Sequence, residues 1–169
     1  MQIINILKKL IELYKELLKR KKVKYIIIHH TATDAKRTTW QAIENGHKAR
    51  WNFKSAMGLY MGYQYLITWD GKVHQSRLDT EEGAHTIGYN KNSIGICLTG
   101  SFSEEEPSGE QSEALWKLLD EKVAYYGINK KNILGHRDVA NKICPGDSLY
   151  EWLANYKGEW LKYYKGQNK

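Results

Sequence analysis

The chain has 169 residues, 41% of them hydrophobic and 27% charged, an ordinary globular composition that excludes a disordered or low-complexity chain. The net charge of +7 sits at the ends: residues 1–24 hold eight Lys or Arg against two Glu, and residues 157–169 hold four Lys against one Glu, so the stretch between is near −2. With no nucleic-acid motif between the basic ends, no nucleic-acid partner is expected, and no run approaches the ~18 apolar residues of a membrane span.

Residues 1–22 read as an amphipathic helix, with Ile3, Ile6, Leu7, Leu10, Ile11, Tyr14, Leu17 and Leu18 recurring at three- and four-residue steps. Lys8, Lys9, Glu12, Lys15 and Glu16 interrupt the apolar residues and no small-residue cleavage site follows, so this is not an export signal. The chain is therefore expected to be made in the cytoplasm. The helix leaves three contacts open: packing on the domain or on a second copy (self-association), a membrane surface, or an anionic wall polymer. Val23–Ile28 is an apolar, β-branched run that predicts a buried strand, ending at His29-His30-Thr31. Thr38–Trp51 predicts a helix with Thr38 and Gln41 as a capping box and Trp40, Ile43, His47 and Trp51 on one face. Gly62–Trp69 and Lys72–Ser76 flank Asp70-Gly71, a hairpin signal. Ser93–Thr99 is another apolar strand. Glu110–Tyr126 reads as a helix with a Ser108/Gln111 capping box and Gly127 as its stop. A short strand, Asn132–Gly135, ends at His136, and a helix starts near Asp147 with Leu149, Trp152, Leu153 and Tyr156 inward. Residues 166–169 are expected to fray. Alternating strands and helices predict a single α/β domain over residues 23–156, with a mixed central β-sheet flanked by helices, an extra N-terminal amphipathic helix (1–22) and a basic C-terminal tail (157–169).

Two strands end in histidine, at His29 and His136, and ligands of α/β sheets gather at strand ends. Cys144 follows His136 by eight residues and precedes Pro145-Gly146. Two imidazoles and a thiolate suit Zn2+, and three protein ligands leave the fourth position for water. A lone histidine at a strand end is more often a hydrogen-bonded structural residue than a ligand, so spacing alone leaves both readings open.

Four segments, in order, resemble the zinc-dependent N-acetylmuramoyl-L-alanine amidases of the type 2 amidase and peptidoglycan recognition protein family. They are Ile27-Ile28-His29-His30-Thr31-Ala32-Thr33; Gly62-Tyr63-Gln64-Tyr65-Leu66-Ile67 with Asp70-Gly71; Gly83-Ala84-His85 with Asn92-Ser93-Ile94-Gly95-Ile96-Cys97-Leu98; and Gly135-His136-Arg137-Asp138-Val139 with Lys142-Ile143-Cys144-Pro145-Gly146. They span about Lys24 to Trp152. The resemblance implies the amidase fold and His29, His136 and Cys144 as zinc ligands. It also implies Tyr63 and Lys142 as catalytic residues, and hydrolysis of the amide between N-acetylmuramic acid and L-alanine in bacterial peptidoglycan. Relatives acting on cytosolic muropeptides carry a glutamate and an aspartate where this chain has Cys97 and Cys144, so the chain sides with the phage lysozyme-type branch. That branch implies an antimicrobial, wall-degrading phage or prophage endolysin that reaches the wall through a separate membrane lesion. The aromatic content, 12 Tyr and 6 Trp, suits a sugar–peptide groove as well as a core.

Among the remaining histidines, His85 is expected to touch substrate. His30 is expected on the opposite face of its strand from His29, His47 in the core or groove floor, and His74 has no assigned role. Cys97 is expected to be a small buried residue, both cysteines to be reduced, and Arg137 to pair with Asp138. Three rivals compete with the enzyme: a non-catalytic peptidoglycan-binding module, a regulator acting through the basic helix, and a structural zinc domain. The presence of Cys144 weighs against the first and the open ligand set against the last.

Overall fold

The computed structural model describes residues 2–158, apart from the side chains of residues 19–21. The fraying expected at residues 166–169 and nearly all of the basic tail lie outside the described residues. In chain order the elements are α1 (Gln2–Lys22), β1 (Tyr25–His30), α2 (Trp40–Trp51), β2 (Tyr65–Ile67), β3 (Val73–Gln75), β4 (Ser93–Leu98), α3 (Gly109–Tyr126), β5 (Ile133–Gly135) and α4 (Asp147–Lys157).

The five strands form one mixed sheet in the order β3-β2-β4-β1-β5. β1 runs parallel to both β4 and β5, and β2 parallel to β4. Only the hairpin partner β3 is antiparallel, with Ile67 opposite Val73 across the expected turn. Gly71 sits there at φ +75°, where an added Cβ would also collide with Glu110. The parallel centre explains the sequence: β1 and β4 are buried on both faces, so they read as continuous apolar runs.

Alternation along β1 divides the interior in two. Ile26 and Ile28 join Ile94, Ile96, Leu98 and Ile133 in the main core, where α3 contributes Leu115, Leu118 and Leu119 and α4 contributes Leu149, Leu153 and Tyr156. The opposite face carries a smaller cluster of Met61, Leu66 and Cys97, packed against Trp40 and Ile43 of α2 and against Tyr63. His29 follows Ile27 onto this second face.

The capping box of α3 forms as expected from Ser108 and Gln111, and Gly127 closes the helix at φ +65°. The α2 cap is displaced by one residue. Thr39, not Thr38, accepts from Ala42 N–H, and no Thr38/Gln41 box forms because the helix begins one residue later, at Trp40; the Thr38 hydroxyl instead donates to the Asp34 carbonyl at 2.6 Å. Among the described residues no helix is long and apolar enough to cross a membrane.

Candidate active site

β1 and β5 are neighbours in register, so their C-terminal ends present His29 and His136 side by side, with ring centroids 4.6 Å apart. Cys144 returns beside them, and its Sγ lies 3.7 Å from His29 Nδ1. One donor atom from each of the three residues lies within 4.8 Å of the others. Two imidazoles and a thiol at these separations fit the first shell of a four-coordinate soft divalent ion.

The loop carrying Cys144 is pinned on several sides. The Cys144 carbonyl accepts from Arg137 N–H at 2.7 Å, and the Arg137 guanidinium grips the Ile143 carbonyl and Asp147. Asp138 does not pair with Arg137 as expected. It accepts from Gly135 N–H at 2.8 Å and from the Tyr150 hydroxyl at 2.6 Å, so the two residues brace the loop from opposite sides. Gly146, at φ +91°, lies so close to the Phe102 backbone that any Cβ there would overlap it. His30, on the main-core side, has its Nδ1 accept from Phe102 N–H, while its own N–H donates to Cys144 Sγ at 3.4 Å. It is a structural neighbour of the site.

Electrostatics keep the metal-free donors uncharged. Burial, reinforced by the neighbouring His85 and His136, holds the His29 imidazole well below its usual range. His136 is lowered by burial and then by the charge of Lys142. Burial pushes the Cys144 thiol up to about 11, against the lowering effect of the His30 N–H and of Arg137.

Tyr63 packs its ring 5.1 Å from that of His29 and 5.3 Å from that of His47. Burial raises its hydroxyl well above the ordinary range, with Cys97 and Cys144 adding to the effect, so it remains a proton-bearing donor. Lys142 is exposed on the loop between His136 and Cys144. Cys97 is fully buried behind Tyr63, and both cysteines are free. His85 lies on the inner side of His29, with its Nδ1 3.1 Å from His29 Nε2.

Three residues support the site, of which the sequence pointed only to His47, as a core or groove-floor histidine. Glu44 of α2 accepts from the N–H groups of Tyr60 and Met61, and His47, three residues on, accepts from Gly62 N–H at 2.9 Å. One helix face thus captures three consecutive amides leading into Tyr63. Arg77 is wholly buried, donating to the carbonyls of Met61, Glu82 and Phe53 and stacking 4.3 Å from the Phe53 ring. Glu44 was legible only as a helix-face neighbour of Ile43 and His47. Arg77 was not singled out, since apart from Glu81 at 3.5 Å and the Phe53 ring its partners are backbone carbonyls brought together only by the fold.

A family model described as N-acetylmuramoyl-L-alanine amidase matches residues 19–147. A peptidoglycan recognition protein of Bombyx mori is 32% identical over 147 residues, covering 83% of this chain and 72% of its own. An endolysin of Klebsiella phage KP32 is 34% identical over 142 residues, covering 79% of this chain and 87% of its own. Among solved structures, the N-acetylmuramoyl-L-alanine amidase LysC from Clostridium intestinale superposes with a TM-score of 0.69 at 28% identity, covering 81% of this chain and 86% of that one.

Proposed function

Since the chain belongs to the N-acetylmuramoyl-L-alanine amidase family, we propose that its hydrolysis of the peptidoglycan amide is carried by a zinc centre of His29, His136 and Cys144, with Tyr63 and Lys142 as catalytic residues. The reaction divides N-acetylmuramic acid from L-alanine. The observation that carries the zinc reading is the convergence of two imidazoles and one thiol, all uncharged, from two stretches of chain more than 100 residues apart.

Zinc at this centre supplies Lewis acidity, polarising the scissile carbonyl and easing the loss of a proton from the attacking water. The remaining work falls to the chain. Tyr63 keeps its proton and donates a hydrogen bond to the oxygen on which negative charge develops. The Lys142 ammonium places a positive charge beside His136 and the same reacting region. The proton that the attacking water loses is the one the departing L-alanine nitrogen gains, and Tyr63 or Lys142 relays it, taking up one proton as it gives up another. Burial of His29 beneath Tyr63 keeps bulk water from one side of the centre.

Mass spectrometry of digested peptidoglycan tests the whole reading. Wild type releases peptides with new L-alanine amino termini, whereas Cys144→Ser releases none and binds no zinc. Hydrolysis by the folded serine variant at the wild-type rate overturns the ligand assignment.

The endolysin relatives support a lytic role at the cell wall, with the enzyme made inside a phage-infected or lysogenic cell. α1 supports a second contact. Its apolar residues from Ile3 to Leu18 keep between 49% and 73% of their surface exposed, so the domain does not cover them. They fill about half the circumference of the helix, wider than the two-in-seven seam of a paired coiled coil. With lysines opposite, this geometry favours a helix lying on an anionic membrane surface over wall polymer or self-association.

A further inference from the structure

We propose that His85 is a positioning residue for the metal centre, accepting the Nε2–H of His29 and so holding His29 in the tautomer that leaves Nδ1 bare for the metal. This takes the place of the direct substrate contact expected for His85, and it rests on the zinc reading above.

The hydrogen bonds fix the protons one after another. The Ser93 hydroxyl is committed as a donor to the Tyr89 carbonyl at 2.8 Å. Ser93 Oγ can therefore only accept from His85 Nε2, 3.4 Å away, so that nitrogen carries the His85 proton. In the neutral ring, His85 Nδ1 is then bare. It faces His29 Nε2 at 3.1 Å, and two bare nitrogens repel at that distance, so His29 Nε2 bears a hydrogen. The Thr86 hydroxyl, 3.1 Å from His85 Nδ1 and 3.3 Å from His29 Nε2, closes the same triangle. His29 Nδ1 is left without a proton, and the protonated Cys144 thiol lies 3.7 Å from it, across the position a metal would take.

The chain is built to seat this ring. A Cβ at Gly95 would stand 2.7 Å from the His85 ring, and one at Gly83 only 2.5 Å, so both glycines are hollows for the imidazole. The backbone beneath is locked by Asn90, whose Oδ1 accepts from the N–H groups of His85 and Thr86 at 2.9 and 2.7 Å. Partners that orient metal-bound imidazoles typically govern metal affinity about 10- to 100-fold.

Two variants and one spectrum test this. His85→Phe keeps the ring volume and removes the acceptor. His85→Asn restores an acceptor oxygen near the Nδ1 position. Chelator competition should show zinc binding weakened about 10- to 100-fold in the Phe variant and largely recovered in the Asn variant. Long-range 1H–15N correlation on the metal-free wild type should show His29 protonated at Nε2. A folded Phe variant with wild-type zinc affinity, or an Asn variant no better than Phe, overturns the assignment. A His29 proton on Nδ1 overturns it with no variant at all. A wild type that binds no zinc defeats the metal reading itself, an outcome separate from the tautomer spectrum.

Discussion

Single side chains decide the chemistry, and their microenvironments set the expected outcomes. If Tyr63 donates to the developing oxyanion as proposed, Tyr63→Phe should lower kcat about 10²- to 10³-fold while zinc content stays at the wild-type level. Steady-state kinetics on muropeptides, with metal analysis alongside, checks this. Cys144 leads to a second expectation. Its thiol is held up to about 11 by burial, whereas His29 and His136 are already neutral near pH 7. A ligand must bind as the thiolate, so zinc must displace one proton, and affinity should rise about tenfold per pH unit below that value. Calorimetry in buffers of different ionisation enthalpy should report release of about one proton per zinc, and release of none contradicts Cys144 as ligand. At this scale the convergence of His29, His136 and Cys144 was legible, because residue types that suit a metal stand at strand ends and in a short loop, whereas the roles proposed for Tyr63 and Lys142 rest on the resemblance alone. His85 was legible as a residue of interest but not in its direction, because its partners, His29 and Ser93, meet it only through the sheet.

Elements are held to the site by polar contacts that no periodicity reveals. Strands β1 and β4, the hairpin and α3 could be read closely, since their apolar runs and turn residues are local signals. The α2 cap was off by one because adjacent Thr38 and Thr39 are both competent caps, and the Thr38 hydroxyl turns back to the Asp34 carbonyl four residues earlier. The face of α2 that holds the Tyr63 segment offers a quantitative check. Glu44→Ala strips the acceptor from two amides, that of Met61 fully buried, and should cost about 3 kcal/mol in urea unfolding. It should also lower kcat by loosening Tyr63, with zinc affinity little changed, since none of the three proposed ligands lies on α2. On the other face, Asp79 gathers Lys122, Tyr65 and Tyr126, joining α3 to the hairpin by the same long-range logic.

At the scale of the whole molecule, a closed catalytic unit carries one element that it does not enclose. α1 meets the rest through contacts such as Tyr125 with Glu16 and Lys22 with the Thr80 carbonyl, while its apolar side stays outward. Deletion of residues 1–22 should leave hydrolysis of soluble muropeptides unchanged and abolish co-sedimentation with vesicles containing phosphatidylglycerol. If the shortened chain still sediments, or if ultracentrifugation shows that the helix pairs two copies, the membrane role fails. The sheet order has its own consequence. β1 is central, yet its neighbour β5 and the loop bearing Cys144 come more than 100 residues later. A ribosome therefore finishes most of the scaffold before the last two proposed ligands emerge, and until then the chain offers His29 alone. On the proposed reading, a chain stopped anywhere before residue 133 lacks both His136 and Cys144 and never assembles the centre.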